Sequence, residues 1–93
     1  DRVLSEARKN VADGDLPRAL HAYNHLIQHN RLIDDILPEL AQLVKKFSRD
    51  PQAWRTLGDA LDRAGDVDHA AKSYEQARKL MHDIVSPHIP THN

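Results

Sequence analysis

One short pattern occurs twice in this chain, at positions 51 residues apart. The residues that recur are Gly14, Asp15, Ala19 and Tyr23 in the first copy and Gly65, Asp66, Ala70 and Tyr74 in the second. Because 51 is three times 17, the spacing indicates a unit of 17 residues, long enough for one helix and its turn, with the copies three units apart. Such a unit constrains the chain to a row of stacked helices.

The expected helix starts follow the same step. They fall at Pro17, Asp34, Pro51 and Asp68. Asp15 and Asp50 stand ahead of the two prolines, where aspartate caps a helix and proline suits the first turn. Apolar residues recur with a period near 3.6 in every long segment, and no segment alternates as a strand would. The sequence therefore predicts a first helix that stops at Asp13, further helices over about 16–29, 35–47, 51–64 and 67–85, and an unstructured tail at 86–93.

Helices of about 13 residues joined by short turns can bury their apolar stripes only against neighbouring helices. The predicted fold class is all-α, an antiparallel helix-turn-helix α-solenoid of about five helices, in a domain of residues 1–85. Pro38 is expected near the start of the third helix, where an amide needs no helical partner. The aromatic residues interpreted as core are Tyr23, Phe47, Trp54 and Tyr74. The apolar stripe predicted for the fifth helix is Val67, Ala70, Ala71, Tyr74, Ala77, Met81 and Ile84.

Charge and composition exclude several kinds of partner. The 13 Lys and Arg residues nearly balance the 14 Asp and Glu residues, so the chain has no positive field to attract nucleic acid or anionic lipid. It has no cysteine, which removes disulfides and thiolate sites and fits a cytoplasmic location. No apolar run reaches the roughly 18 residues of a membrane span. Because the chain begins at Asp1 rather than methionine, we expect a piece of a longer protein.

A series of residues between Pro51 and Ile84 resembles one whole tetratricopeptide repeat, a helix-turn-helix unit. These residues are Trp54, Leu57, Gly58, Leu61, Gly65, Asp66, Ala70, Tyr74 and Ala77. Residues 1–28 resemble a degenerate second copy, with Ala7 in the place of Gly58, and the third helix resembles half a repeat. A side chain larger than that of Gly58 or Ala7 would force the crossing helices apart. The resemblance implies a right-handed superhelix whose groove binds peptides or partner proteins.

The resemblance leaves two assignments of the groove open. The family places the first helix of each repeat on the groove, yet here the first and fourth helices are three steps apart and belong to opposite layers. If the fourth helix lines the groove, the second helix lies beside it. If the first helix lines the groove, the polar residues of the second and fourth helices lie on the outer face. The more complete repeat favours the fourth helix. The predicted partner-binding residues are then Gln52, Arg55, Asp59, Asp62, Arg63, His21 and His25.

Three histidines of the second helix are the one feature with possible chemistry. His21, His25 and His29 share one helical face, and two neutral imidazoles at this spacing can chelate zinc, nickel or copper. No cysteine or carboxylate on this helix completes a ligand set, so a solvated polar face is favoured and no metal or cofactor is predicted. An enzyme is disfavoured, because the sequence lacks a glycine-rich phosphate loop, a nucleophile beside a base, and paired carboxylates framed by apolar residues.

The sequence thus predicts a non-catalytic module that binds a peptide or protein partner on the groove. The alternative is a self-association or assembly module, whose open ends pair between copies or continue into further repeats. Glu6 and Asn10 motivate this alternative, because they replace Leu57 and Leu61 of the fourth helix and leave the first helix poorly packed. Metal binding by the histidines is a third possibility.

Overall fold

The computed structural model describes residues 1–85, which form five α-helices. They are α1 (Arg2–Ala12), α2 (Leu16–Gln28), α3 (Ile33–Lys46), α4 (Pro51–Arg63) and α5 (Val67–Val85). Within these residues there is no strand, and no helix is long and apolar enough to cross a membrane. The predicted tail at 86–93 lies outside the described residues. The predicted all-α array of helix-turn-helix units is confirmed.

Aspartate side chains begin α2 and α4, as predicted. Asp50 Oδ1 accepts hydrogen bonds from the backbone N–H groups of Gln52 at 2.8 Å and Ala53 at 3.1 Å. Asp15 Oδ1 accepts one from the backbone N–H of Arg18 at 3.2 Å. Because the first N–H groups of a helix have no partner within it, these bonds fix where the two helices start.

The start of α3 differs from the prediction. The helix begins at Ile33, directly after Leu32, whose φ of 56° is left-handed and whose side chain provides no cap. Leu32 packs against the core, and this burial holds the unfavourable backbone conformation in place. Pro38 is the sixth residue of α3 and lies beyond the first turn. The expectation that its missing N–H costs no bond is therefore wrong, because the carbonyl of Asp34 loses its helical partner.

The core is one cluster shared by α1, α2, α3 and α4. Ile36 and Leu40 of α3 are completely buried in it, together with Leu26 of α2. Tyr23 is also buried, as predicted. The other aromatic residues predicted as core are only partly buried, and these are Phe47, Trp54 and Tyr74.

α5 buries only part of its predicted stripe. Ala70 and Ala77 are buried. The exposed apolar members are Val67, Ala71, Met81 and Ile84. The prediction that these residues belong to the core is wrong, because no helix follows α5 within the described residues to cover its outer side.

α4 and α5 cross at Gly58. A Cβ atom added to Gly58 would lie 2.7 Å from Cε1 and 2.8 Å from Cδ1 of Tyr74, so the aromatic ring rests directly on the α4 backbone. Ala7, at the corresponding position of α1, is completely buried. The structure thus confirms the close crossing at Gly58 in the second hairpin and buries the small residue at the equivalent position of the first.

The five helices alternate between two layers. α2 packs against α4, so these helices form one layer. In the other layer, no Cα atom of α1 lies within 8 Å of α3, and none of α3 lies within 8 Å of α5. Since the even-numbered helices are more closely spaced than the odd-numbered ones, the stack curves toward α2 and α4.

We expect Gly58→Leu to destabilise the fold by about 1–3 kcal/mol or more, because the larger side chain cannot fit between the α4 backbone and the ring of Tyr74. Arg63→Ala, an exposed change at the end of the same helix, should alter the free energy of unfolding by less than about 0.5 kcal/mol. Urea denaturation measures both variants. Equal stabilities of the wild type and Gly58→Leu would contradict the close crossing.

Candidate functional site

The predicted partner-binding residues all lie on the two helices of the closely spaced layer. The exposed ones are His21, His25, Gln52, Arg55, Asp62 and Arg63, and Asp59 is partly buried. Within residues 1–85, no ion pair connects the histidines of α2 with the charged side chains of α4. The layer therefore brings these side chains to neighbouring helices without fixing them against one another.

These residues line three shallow depressions rather than one pocket. His21 and His25 line a depression of about 510 Å³ between α1 and α2. Gln52 and Arg55 line one of about 430 Å³ between α4 and α5. Arg63 lines a third, of about 310 Å³, beside the start of α3. A partner that contacts the whole predicted set must therefore be an extended segment rather than a small molecule.

Asp59 is the member of the set that a hydrogen bond holds in place. Its Oδ1 accepts a hydrogen bond from the hydroxyl group of Tyr74 of α5. Burial, and then this bond to a carboxylate, raise the pKa of Tyr74, because an ionised phenol would lose solvation and face a negative charge. Tyr74 therefore stays a neutral donor and keeps the Asp59 carboxylate oriented.

The histidine row of α2 contains two rings in contact. The ring centroids of His25 and His29 are 4.6 Å apart, with a tilt of 53° between the planes. Within residues 1–85, no group of three or more His, Cys, Asp or Glu side chains is arranged to hold a metal ion. In the described part of the chain, the row therefore lacks the further ligands that a tetrahedral metal site requires.

A polar cluster that the sequence reading missed joins α1, α2 and α3. Glu39 accepts hydrogen bonds from Arg8 Nη2 at 2.6 Å and from the hydroxyl of Tyr23 at 2.8 Å. Burial alone would raise the pKa of Glu39, but the bonds from Arg8 and Tyr23 outweigh burial and hold this pKa below its ordinary value. The three side chains border a cleft of about 450 Å³ between α1 and α3.

The two sequence copies contained a signal for this cluster. Tyr23 corresponds to Tyr74, but Arg8 stands where the second copy has Asp59. Since an arginine cannot accept a hydrogen bond from a phenol, the buried Tyr23 needs an acceptor from another helix. Glu39 of α3 supplies it.

The lowered pKa of Glu39 predicts that stability depends on pH. A carboxylate whose folded pKa lies below its unfolded value stabilises the fold above the unfolded value, and this contribution is lost as the pH falls through the folded pKa. Given the partial exposure of the pair, we expect Glu39→Gln to lower the free energy of unfolding at neutral pH by about 1 kcal/mol. The deficit should shrink below about pH 4. Urea denaturation at several pH values measures it.

The matched control is Glu6→Gln, because Glu6 is exposed and forms no ion pair within the described residues. This variant should match the wild type at every pH. A Glu39→Gln deficit that stays constant down to about pH 3 would show that the lost contact is steric and not ionic.

The α4 and α5 hairpin matches a known repeat. The family model of the tetratricopeptide repeat matches residues 51–84, which are the residues predicted as the near-complete repeat. The match does not extend to residues 1–28, although α1 and α2 form a hairpin of the same kind. No curated protein and no solved structure matches the chain. Residues 51–84 are thus a tetratricopeptide repeat.

Proposed function

We propose that this chain is a non-catalytic module that binds a segment of a partner protein on the exposed surface of α2 and α4. Tetratricopeptide repeats generally mediate protein–protein interaction, and members of the family typically act without catalysis. We call the proposed surface the α2/α4 face. Its residues are Gln52, Arg55, Asp59, Asp62, Arg63, His21 and His25. The absence of cysteine supports a cytoplasmic setting for this interaction.

The observation that carries the proposal is the close packing of α2 against α4. Because the stack curves toward this layer, a bound segment can contact both helices at once. The depressions beside α1 and beside the start of α3 provide separate places for side chains of an extended segment. A flat or convex layer would offer fewer contacts to the same segment, so curvature favours this layer as the binding side.

The charges on the α2/α4 face indicate the chemistry of the segment. Along α4, Arg55 and Arg63 flank Asp59 and Asp62, so both signs of charge are present. A chain terminus bound through its carboxylate would require several basic residues without acids between them. A mixed surface instead suits a polar segment that carries both signs of charge, because charge complementarity sets which partner and which register are favoured.

A second candidate function is assembly of the chain with itself. The exposed apolar residues at the two ends of α5 favour it, since Val67 is 64% and Ile84 60% exposed. Such residues at the end of an array can pair with another array. Light scattering over a wide concentration range tests this function, and a monomer at every concentration would exclude it.

Charge reversal on the α2/α4 face tests the first proposal. We expect Asp62→Lys and Arg63→Glu each to weaken binding of the protein that co-purifies with the wild-type chain, by about tenfold. Both residues are exposed, so circular dichroism should show an unchanged fold. Isothermal titration calorimetry with the purified partner measures the affinity.

Lys45→Glu provides the control, because Lys45 is exposed on α3 in the opposite layer. It should leave the affinity unchanged. Chemical-shift changes on adding the partner should concentrate on α2 and α4. If the shifts cluster on α1, α3 and α5 and the two reversals bind normally, the opposite layer carries the interaction.

A further inference from the structure

The outer side of α5 forms a groove with the beginning of α4. Its volume is about 430 Å³. The side chains that define it are Gln52, Arg55, Tyr74, Ala77, Arg78 and Met81, and we call it the α5 groove. Met81 is 38% exposed. No helix within residues 1–85 covers the α5 groove, although its floor is apolar.

The first hairpin shows what covers the corresponding surface there. With a shift of 51 residues, Tyr74 and Arg78 correspond to Tyr23 and Ile27 of α2, which are only 2% and 4% exposed. α2 lies against both α3 and α4, and the hydroxyl of Tyr23 binds Glu39 of α3. The helices that follow the first hairpin therefore bury the surface that the second hairpin exposes.

α3 provides a second and independent example. With a shift of 34 residues, Tyr74 and Arg78 correspond to Leu40 and Val44, which are 0% and 4% exposed. α4 packs on α3, and it follows α3 through a short turn, so it runs antiparallel to α3. Both examples show that following helices bury this surface, and the pairing of α4 with α3 gives the geometry: the α5 groove fits one helix that runs antiparallel to α5.

Charge distinguishes the α5 groove from its two counterparts. Arg78 stands where they have Ile27 and Val44, and Arg55 stands where α1 has Leu4. The ion pair of Arg78 with Glu75 is exposed and joins two residues of α5, so it opposes a further carboxylate only weakly. An apolar floor flanked by two guanidinium groups favours a helix whose apolar stripe has acidic neighbours.

A second copy of the chain does not meet these requirements. Because the layers alternate, the helix that covers α5 must belong to the layer of α2 and α4. The outermost helix at the other end of the array is α1, which belongs to the odd-numbered layer, so a head-to-tail copy breaks the alternation. A two-fold pairing of α5 with α5 would put Arg55 and Arg78 of both copies into one interface, where like charges repel.

We propose that the α5 groove binds an amphipathic helix of a partner protein, antiparallel to α5, with acidic residues beside its apolar stripe. Tyr74, Ala77 and Met81 contact the stripe, and the guanidinium groups of Arg55 and Arg78 bind the acids. This interaction goes beyond the one proposed for the α2/α4 face. Gln52 and Arg55 border both surfaces, but Arg78 and Met81 line the α5 groove alone. Substitutions at Arg78 and Met81 therefore test the α5 groove without changing a residue of the α2/α4 face.

The probes are two fluorescein-labelled peptides based on residues 50–64, since α4 is the helix that covers α3 in this chain. The acidic peptide carries Arg55→Glu and Arg63→Glu, and the basic peptide carries Asp59→Lys and Asp62→Lys. Both keep the same apolar stripe. With the 93-residue chain, fluorescence anisotropy should show the acidic peptide binding at least about tenfold more tightly than the basic one.

Arg78→Glu in the protein should reverse this preference, and Met81→Gln should weaken both peptides. Lys72→Glu is the matched control, because it makes the same charge change on an exposed residue of α5 that does not line the groove. It should keep the preference for the acidic peptide. The proposal is overturned if neither peptide binds, if both bind equally, if Lys72→Glu and Arg78→Glu behave alike, or if light scattering shows a dimer that Met81→Gln disrupts.

Discussion

Every helix of this array depends on its neighbours to bury its apolar side. A helix of 13 residues such as α2 is marginal alone in water. α2 is stable because α1 covers one side of it and α3 and α4 cover the other. The stability of each helix therefore depends on its neighbours. Within residues 1–85, α5 packs against α4 alone and exposes the kind of surface that α2 and α3 bury.

The tyrosine at each hairpin crossing determines how far a hairpin depends on the rest of the array. Tyr74 binds Asp59 of its own hairpin, so the second hairpin satisfies its buried hydroxyl internally. Tyr23 binds Glu39 of α3, which also binds Arg8 of α1. The first hairpin therefore needs α3 to supply the acceptor for its tyrosine, whereas the second supplies this acceptor itself. This difference agrees with the family match, which covers the second hairpin alone.

The sequence was sufficient to predict features that depend on residues close together in the chain. The caps Asp15 and Asp50 and the crossing at Gly58 followed from local rules, because helix starts and small-residue crossings have short sequence patterns. Leu32 could not be predicted as a left-handed helix start, since only its packing against the core holds it there. The role of Glu39 could not be predicted from local patterns, because its hydrogen bonds join residues 31 and 16 positions apart in the sequence.

For the candidate site too, the sequence predicted local features but not those that depend on packing between helices. The 3.6-residue period was enough to place Arg55 and Arg63 on the polar side of α4. It could not show that Arg55 faces α5 and Arg63 faces the start of α3, because that depends on how the hairpins pack. The exposure of Met81 was missed for a related reason, since a periodic stripe does not reveal whether a further helix covers it.

Two opposing requirements meet at the outer side of α5. An aliphatic residue at position 78, as at Ile27 and Val44, would enlarge the apolar surface of α5 and favour indiscriminate association. Arg78 breaks up that surface, while Met81 and the ring of Tyr74 leave enough of it for a helix to bury. The same arginine that limits non-specific pairing thus adds a charge requirement, so a helix can gain the apolar contact fully only if it also supplies an acid.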